Sequence, residues 1–556
     1  MNASSRRHTT LSTNSGSGYG QSFRRALSGF GQSESGVMII FAVYILVMIL
    51  MVVGIGIDLM RFERDRAELQ NTLDRAVLAA ADLEQTLDPE EVVNDYFAKS
   101  NLGDKLKSVT LSQGLGYRSV AATAEAVVPT QFMHMTGLDS MTAPAQGTAE
   151  EKVGAVEISL VLDVSGSMAY NNRLSNLQTS AKQFVDTILA GSTSSASSIS
   201  IIPYATQVNV GEKLLTKFNL QQLHDYSWCV NFIPEQFKKS HLLVTDELEH
   251  TAHFDPFTRS DGTLDLPVCP TRPGTDILPL TNNQTKLHNH IDAMTAGGNT
   301  SIDLGMKWGT ALLDPAMRPV INTMIGAGLV PAEFSTRPMN YNDSDVLKVI
   351  VLMTDGANTT QYFVEDDHRE GNSYIWWNQE AQRYSVYYPG YNAYYLVSHS
   401  SGDDSPRNRW ADHPFGLDGD GCVYESGWVC GTQAQEGESV RLTYPELWAQ
   451  TPVLANAEDN YYPWMNDSSA YSEWYSGVLD WVNSSTKDAR TYTICDTAKD
   501  QDIIVFTIAF EAPYQGRTVL RECASSAAHY YNVSGLEISD AFSSIATSIR
   551  QLRLTQ

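Results

Sequence analysis

Residues 37–57, VMIIFAVYILVMILMVVGIGI, run for 21 positions without a charged side chain. As an α-helix they extend about 31 Å, against a hydrocarbon core of about 30 Å. A helix buried in a soluble core is rarely apolar on every face over such a length. A secretory signal has a shorter apolar region with a small-residue cleavage site behind it. Here Asp58 and a charged helical pattern follow at once. The run is therefore expected to be a retained transmembrane helix, and everything after it must fold from one end of that anchor.

Two features bear on orientation, and they disagree. Within 20 residues of the run, Arg24 and Arg25 lie on the N-terminal side and Arg61, Arg64, Arg66 and Arg75 on the C-terminal side. That bias alone would hold the larger part of the chain in the cytoplasm. All six cysteines, Cys229, Cys269, Cys422, Cys430, Cys495 and Cys523, come after the run. An even number on one side fits disulfides in an oxidising compartment. Long domains translocate despite flanking charge, so the expected arrangement is N-terminus cytoplasmic and the remainder outside. Net charge is −26, which excludes a phosphate-backbone partner, because such a partner needs a Lys/Arg surface.

Residues 1–36 are rich in Ser, Gly and Arg, carry +3, and read as a disordered basic tail. Residues 58–88 continue as a helix: Leu69, Leu73 and Val77 recur at i+4 among charges, and Pro89 follows. It would project from the bilayer as a stalk. Residues 89–152 read as a small β-rich connector, with Ala/Val/Thr segments SVAATAEAVVPT and SMTAPAQGTAEE bounded by turns. From 153 to 556 the pattern alternates. Strands are expected near 156–163, 197–210, 345–356, 501–510 and 528–533, and helices near 173–190, 286–294, 301–313 and 536–554. Such alternation predicts an α/β domain with a doubly wound parallel sheet. Two segments, about 211–280 and 359–494, interrupt it. The second holds eight of the ten tryptophans, which either form its own core or present an aromatic contact surface.

Ligands of open α/β sheets sit at the carboxyl ends of the strands. Three loops there offer oxygens: Asp163-Val164-Ser165-Gly166-Ser167 after a strand, GGNTS with Thr300 before a helix, and MTDG with Asp355 after a strand. Asp163, Ser165 and Ser167, at i, i+2 and i+4, can curl to aim at one point. Two carboxylates and three hydroxyls, without His or Cys, suit a small hard cation, Mg²⁺ first and Mn²⁺ or Ca²⁺ next. Five such ligands leave a sixth position for a partner's carboxylate. The bland alternative is that Asp163 and the serines only cap the next helix.

DVSGSM, GGNT and TDG, in that order on those strands, resemble the von Willebrand factor A (vWA) domain and its metal-ion-dependent adhesion site, DxSxS with a distant Thr and a distant Asp. The resemblance implies a Rossmann-like vWA fold, here interrupted by the two segments above as large insertions, and a metal held by Asp163, Ser165, Ser167, Thr300 and Asp355. Enzymatic readings fare worse. A haloacid-dehalogenase-type phosphotransferase needs a second Asp where Ser165 stands, and no G-x-S-x-G elbow surrounds the serines. DGDG, residues 418–421, lacks the Glu-terminated loop of an EF-hand. No catalytic residue is expected.

The stretch from ESGVMIIF to DRAVLAAA resembles the TadE/TadG-like N-terminal segment of tight-adherence (Flp) pilus assembly proteins: a short basic tail, one span, an Asp just after it, then LQ and a D-x-A-x-L-A-A-A helix. In TadG-like proteins a β stretch and a vWA domain follow. CDTAKDQDIIVFTIAF and LRECASS resemble that family's C-terminal part and imply a Cys495–Cys523 disulfide. The resemblance implies an inner-membrane protein with a periplasmic vWA domain that meets pilus-assembly partners. It leaves out the two insertions. A surface adhesin using the metal site and the aromatic insertion is the alternative. Prepilin-type cleavage after Gly29, with Glu34 fifth beyond it, lacks the apolar start such a helix has.

Overall fold

The computed structural model describes residues 35–82, 85, 87–114, 117–152, 154–190, 197–259, 264–343, 346–397, 409–424 and 427–555. The expected basic tail and the Gly29 cleavage position lie outside the described residues. The chain divides into two compact units, Met1–Lys152 and Val153–Gln556.

In the first unit one helix, α1 (Ser35–Ala81), carries the apolar run and the charged pattern without a break. Its apolar half is largely exposed, as a lipid-facing surface is in the absence of lipid. Its second half does not project as a bare stalk. Leu69, Leu73, Ala76, Val77 and Ala80 are buried against an antiparallel three-stranded sheet of β1 (Leu106–Gly114), β2 (Tyr117–Pro129) and β3 (Ser140–Lys152). Val120, Ala122, Ala124, Ala126 and Val128, at strand period two, form the opposing face. Small side chains let the helix approach closely: a Cβ on Gly147 would lie 2.8 Å from Leu73 Cδ2. The i+4 stripe thus marks a buried seam. The expected stalk to residue 88 ends at Ala81, and the expected β-rich connector starts with a helix, α2 (Pro89–Lys99). The physical reason is Pro89. Proline suits the first helical turn as well as the position after a helix, and Asp88 caps this one by accepting from Glu90 N (2.9 Å) and Glu91 N (3.3 Å).

The second unit is built on a six-stranded sheet: β4 (Ala155–Asp163), β5 (Ser197–Tyr204), β6 (Leu278–Thr281), β7 (Val346–Thr354), β8 (Ile504–Phe510) and β9 (Tyr530–Val533). The order across the sheet is β9-β8-β7-β4-β5-β6. All pairs are parallel except the edge strand β6, which runs antiparallel to β5. Helices cover both faces. On one, α3 (Arg173–Leu189), α4 (Gln284–Ala293) and α9 (Glu537–Thr555) bury Phe184, Ile291 and Phe542 against Ile158, Leu160, Val349 and Ile508. On the other, α5 (Ile302–Ala311), α7 (Ser484–Lys499) and α8 (Tyr514–Cys523) pack Trp308, Ile494 and Leu520 against Val161, Ile350, Leu352 and Val505; α6 (Arg318–Gly326) adds Val320 and Ile321. Strands buried on both faces read as unbroken apolar runs. Helix α5 sits close on the sheet because it carries Gly309, where a Cβ would fall 2.5 Å from Val161 Cγ2.

The insertion between β5 and β6 is a small three-stranded sheet tied by Cys229–Cys269. The one after β7 is larger. Its entry strand Gln361–Val364 pairs antiparallel with its exit strand Leu479–Val482, closing a neck. Beyond the neck lies a seven-stranded sheet containing Cys422–Cys430. The insertion ends earlier than the expected 494, because α7 starts at Ser484 and belongs to the main fold. Its aromatics do both things: Tyr384, Tyr395, Trp448 and Tyr461 are buried together, whereas Tyr391, Trp428 and Trp481 are exposed.

Candidate functional site

Strand order reverses between β4 and β7: the chain leaves β4 toward β5 on one side, and later leaves β7 toward β8 on the other. The carboxyl ends of these two neighbours flank the crevice where open α/β sheets take ligands. Asp163 is the last residue of β4, and Asp355 follows the last residue of β7. Both are buried.

The DVSGS loop is held open by its neighbours. Gly166 N donates to Gly298 O (2.9 Å) and Gly297 N to Val164 O (2.9 Å), so the GGNTS loop lies directly alongside. Gly298 takes φ +83°, a left-handed backbone suited to glycine. Within the loop, Ser165 N donates to Asp163 Oδ1 (2.8 Å) and Thr354 Oγ1 to Asp163 Oδ2 (2.5 Å). The Ser165 and Ser167 hydroxyls lie 3.1 Å apart, and Ser167 Oγ donates to Asp355 Oδ1 (2.6 Å). Thr300 arrives from the third loop. Gly356 lies between it and the serines: a Cβ there would fall 3.3 Å from Thr300 Oγ1 and 3.9 Å from Ser167 Oγ. The five residues named from the sequence thus come close to one another where the three loops meet, Asp163, Ser165, Ser167 and Asp355 through the contacts above and Thr300 across Gly356.

Electrostatics at this spot favour a cation. Burial, aided by the nearby Asp355 charge, pushes the Asp163 carboxyl up to about 7. Burial also raises Asp355, while hydrogen bonds from Ser167 and Arg173 pull it down. Two neighbouring buried carboxylates are eased by taking up a proton or by a positive neighbour. Arg173, in the first turn of α3, provides one: Nη1 donates to Asp355 Oδ2 (2.9 Å) and Nε to Glu511 Oε2 (2.9 Å). Among the described residues no group of three or more His, Cys, Asp and Glu is placed to share a metal. The oxygens this spot offers besides the two carboxylates are hydroxyls and backbone carbonyls. Neighbouring oxygens around Mg²⁺ lie about 3.0 Å apart for bonds of about 2.1 Å, and the 3.1 Å between the two serine hydroxyls fits that spacing.

Sequence reasoning missed the shell behind these residues. Lys487, fully buried on α7, donates to Thr300 O (2.9 Å), Ser301 Oγ (2.6 Å) and Thr359 O (2.9 Å). Asn358 accepts from Ile302 N (2.8 Å) and donates to Asp488 Oδ1 (2.8 Å). These contacts tie the Thr300 loop, the Asp355 loop and the first turn of α7 together. No local pattern marks them, since each looks like an ordinary surface polar residue in its own helix or loop.

Residues 36–83 match the family model described as putative Flp pilus-assembly TadE/G-like. The N-terminal helix is similar to a TadE/G-like segment. That match covers part of the first unit and stops before β1. No curated protein matches the chain. Among solved structures, the vWF domain of the type V pili tip protein Mfa5 from Porphyromonas gingivalis is similar over 72% of this chain and 96% of its own, at 15% identity and TM-score 0.30. The pilus adhesin SpaC from Lactobacillus rhamnosus GG is similar over 80% of this chain and 33% of its own, at 13% identity and TM-score 0.29. This chain therefore spans about a third of SpaC's length. The pilus adhesin RrgA from Streptococcus pneumoniae is similar over 79% and 49%, at 13% identity and TM-score 0.28.

Proposed function

We propose that this chain is a membrane-anchored component of Flp (Tad) pilus assembly whose second unit is a vWA-type domain with two insertions. In this reading the domain captures an acidic group of a protein partner at a Mg²⁺ site formed by Asp163, Ser165, Ser167, Thr300 and Asp355. The observation that carries it is the gathering of two buried carboxylates and three hydroxyls from three loops at the reversal of strand order. Bound Mg²⁺ would supply an electrophilic position for a carboxylate from outside. Asp163 and Asp355 carry the negative charge, the hydroxyls add oxygens without further neutralising the ion, and Lys487 and Asn358 keep the loops in register. Arg173 must release Asp355 Oδ2 if that oxygen is to serve the ion. No residue is assigned a catalytic role.

Anchoring is by α1 in the inner membrane, with the second unit in the periplasm. Three disulfides, Cys229–Cys269, Cys422–Cys430 and Cys495–Cys523, leave no free cysteine, which supports an oxidising compartment. Asp163→Ala and Asp355→Ala are each expected to abolish Mg²⁺ binding in calorimetry while the circular dichroism spectrum stays unchanged. Unaltered Mg²⁺ affinity in a folded variant would sink the site. Pull-down from crosslinked cells, with and without chelator, identifies the partner.

A second reading is a surface adhesin that contacts host or matrix ligands through the aromatic insertion. It is favoured by an open cavity of about 600 Å³ lined by Tyr391, Trp410, Tyr424 and Trp428. Cell fractionation separates the two: a second unit displayed at the cell exterior favours the adhesin.

A further inference from the structure

The turn between β2 and β3, TQFMHMTGLD at 130–139, is docked on α1 at the end of the apolar run. The Asp58 carboxylate, buried itself, accepts hydrogen bonds from three successive backbone N–H groups: Gln131 (3.0 Å), Phe132 (2.7 Å) and Met133 (2.8 Å). One turn earlier, the Phe132 ring lies on Gly54, where a Cβ would come within 2.5 Å of Phe132 Cγ. Gly54 is three residues inside the apolar run, so this contact lies about 4.5 Å before the run's end. Meanwhile Met135 is 71% exposed, Leu138 41% and, on the adjoining strand, Val127 58%. Polar atoms within the turn bond to one another: Thr130 Oγ1 donates to Leu138 O, Thr136 Oγ1 donates to Met133 O (2.6 Å), and His134 pairs with Asp139 on the exposed side of the turn.

We propose that this turn is a second membrane contact, seated in the headgroup–acyl boundary of the bilayer that α1 spans, with Met135 and Leu138 immersed and Asp58 as its anchor. The proposal rests on reading residues 37–57 as a span. Backbone N–H groups at the edge of a hydrocarbon layer lose water and need an acceptor within the protein. A carboxylate placed just past the span gives three of them one. Met135 and Leu138 face outward beside the span, and the three backbone N–H groups nearest it are bonded to Asp58 rather than left to water. Immersed apolar side chains at that depth are what interfacial segments use. The contact would also fix how the first unit sits on the membrane surface, because β2 and β3 continue directly from the turn.

The test uses the full chain in phosphatidylcholine–phosphatidylglycerol vesicles. The six native cysteines are paired, so a single introduced cysteine takes an environment-sensitive fluorophore selectively. Met135→Cys and Leu138→Cys labels are expected to be quenched severalfold more by lipids spin-labelled near the headgroup than a Gln113→Cys label in the exposed β1 segment. Asp58→Asn, which removes the charge but keeps the shape, is expected to reduce that difference. A Leu46→Cys label separates the failures. If Leu46 is quenched by deeply labelled lipid while Met135 and Leu138 behave like Gln113, the turn proposal is overturned and the span stands. If Leu46 is not quenched, the span reading falls and the proposal with it.

Discussion

Arg173 is the residue whose position most alters the expected site. It opens α3 and bridges Asp355 and Glu511 at 2.9 Å each. A hydrogen bond between charged groups contributes about 1.5–3 kcal/mol, so a cation entering the site competes with the guanidinium for Asp355. Arg173→Met should therefore tighten Mg²⁺ binding by roughly tenfold, equivalent to about 1.4 kcal/mol. Calorimetry on the folded variant decides this; unchanged or weaker binding means that Arg173 instead holds Asp355 in the geometry the ion needs. The residues that face this spot from three loops were legible because each sits directly beside a strand end or helix start in a recognisable spacing. Arg173, Glu511 and Lys487 were not, because long-range pairs between polar residues leave no local periodicity.

At the level of elements, the same contrast separates α3 from α7. Helix α3 shows an apolar stripe and was expected almost to the residue. Helix α7 buries Lys487, Thr491, Ile494, Cys495 and Ala498, a mixed face that hydrophobic patterning cannot distinguish from an insertion. What it buries instead is a hydrogen-bonding role. Replacing Lys487 with Met removes the donor for three oxygens and strips Asp303 of its strongest positive neighbour. The expected cost is about 3 kcal/mol in denaturant unfolding, together with weaker Mg²⁺ binding through the loosened Thr300 loop. Loss of stability with affinity intact would make α7 a purely structural part.

The insertion before β6 gives a pH prediction of its own. The rings of His224 and His250 meet at a tilt of 39° with centroids 4.2 Å apart, and His253 lies 6.0 Å from His224. Burial, then the neighbouring His250, lowers His224 to about 3 and His253 to about 4; burial lowers His250 itself, against the pull of Asp225. Folded-state values below the usual 6.5 mean that the unfolded chain binds more protons as pH drops. Stability from this cluster is complete above pH 6.5 and is lost as pH falls toward 3. Replacing His224 with Phe should flatten the fall in unfolding midpoint between pH 6 and pH 4, and an unchanged slope would assign the acid sensitivity elsewhere.

Across the whole molecule, two readings of orientation compete, and the cysteine geometry weighs against the arginine count. Four arginines on the C-terminal flank of the apolar run argue for a cytoplasmic second unit. Yet each of the six cysteines has a partner at bonding distance, with Cα separations of 5.7, 4.0 and 5.2 Å. Such placement across three separate parts of the second unit needs three local geometries to agree. A reducing cytoplasm would keep those thiols open. Maleimide labelling of denatured protein from alkylated cells should therefore count no free thiol before reduction and six after it. Four or more free thiols would return the second unit to the cytoplasm, and the proposed carboxylate-capturing site would then face cytoplasmic partners instead.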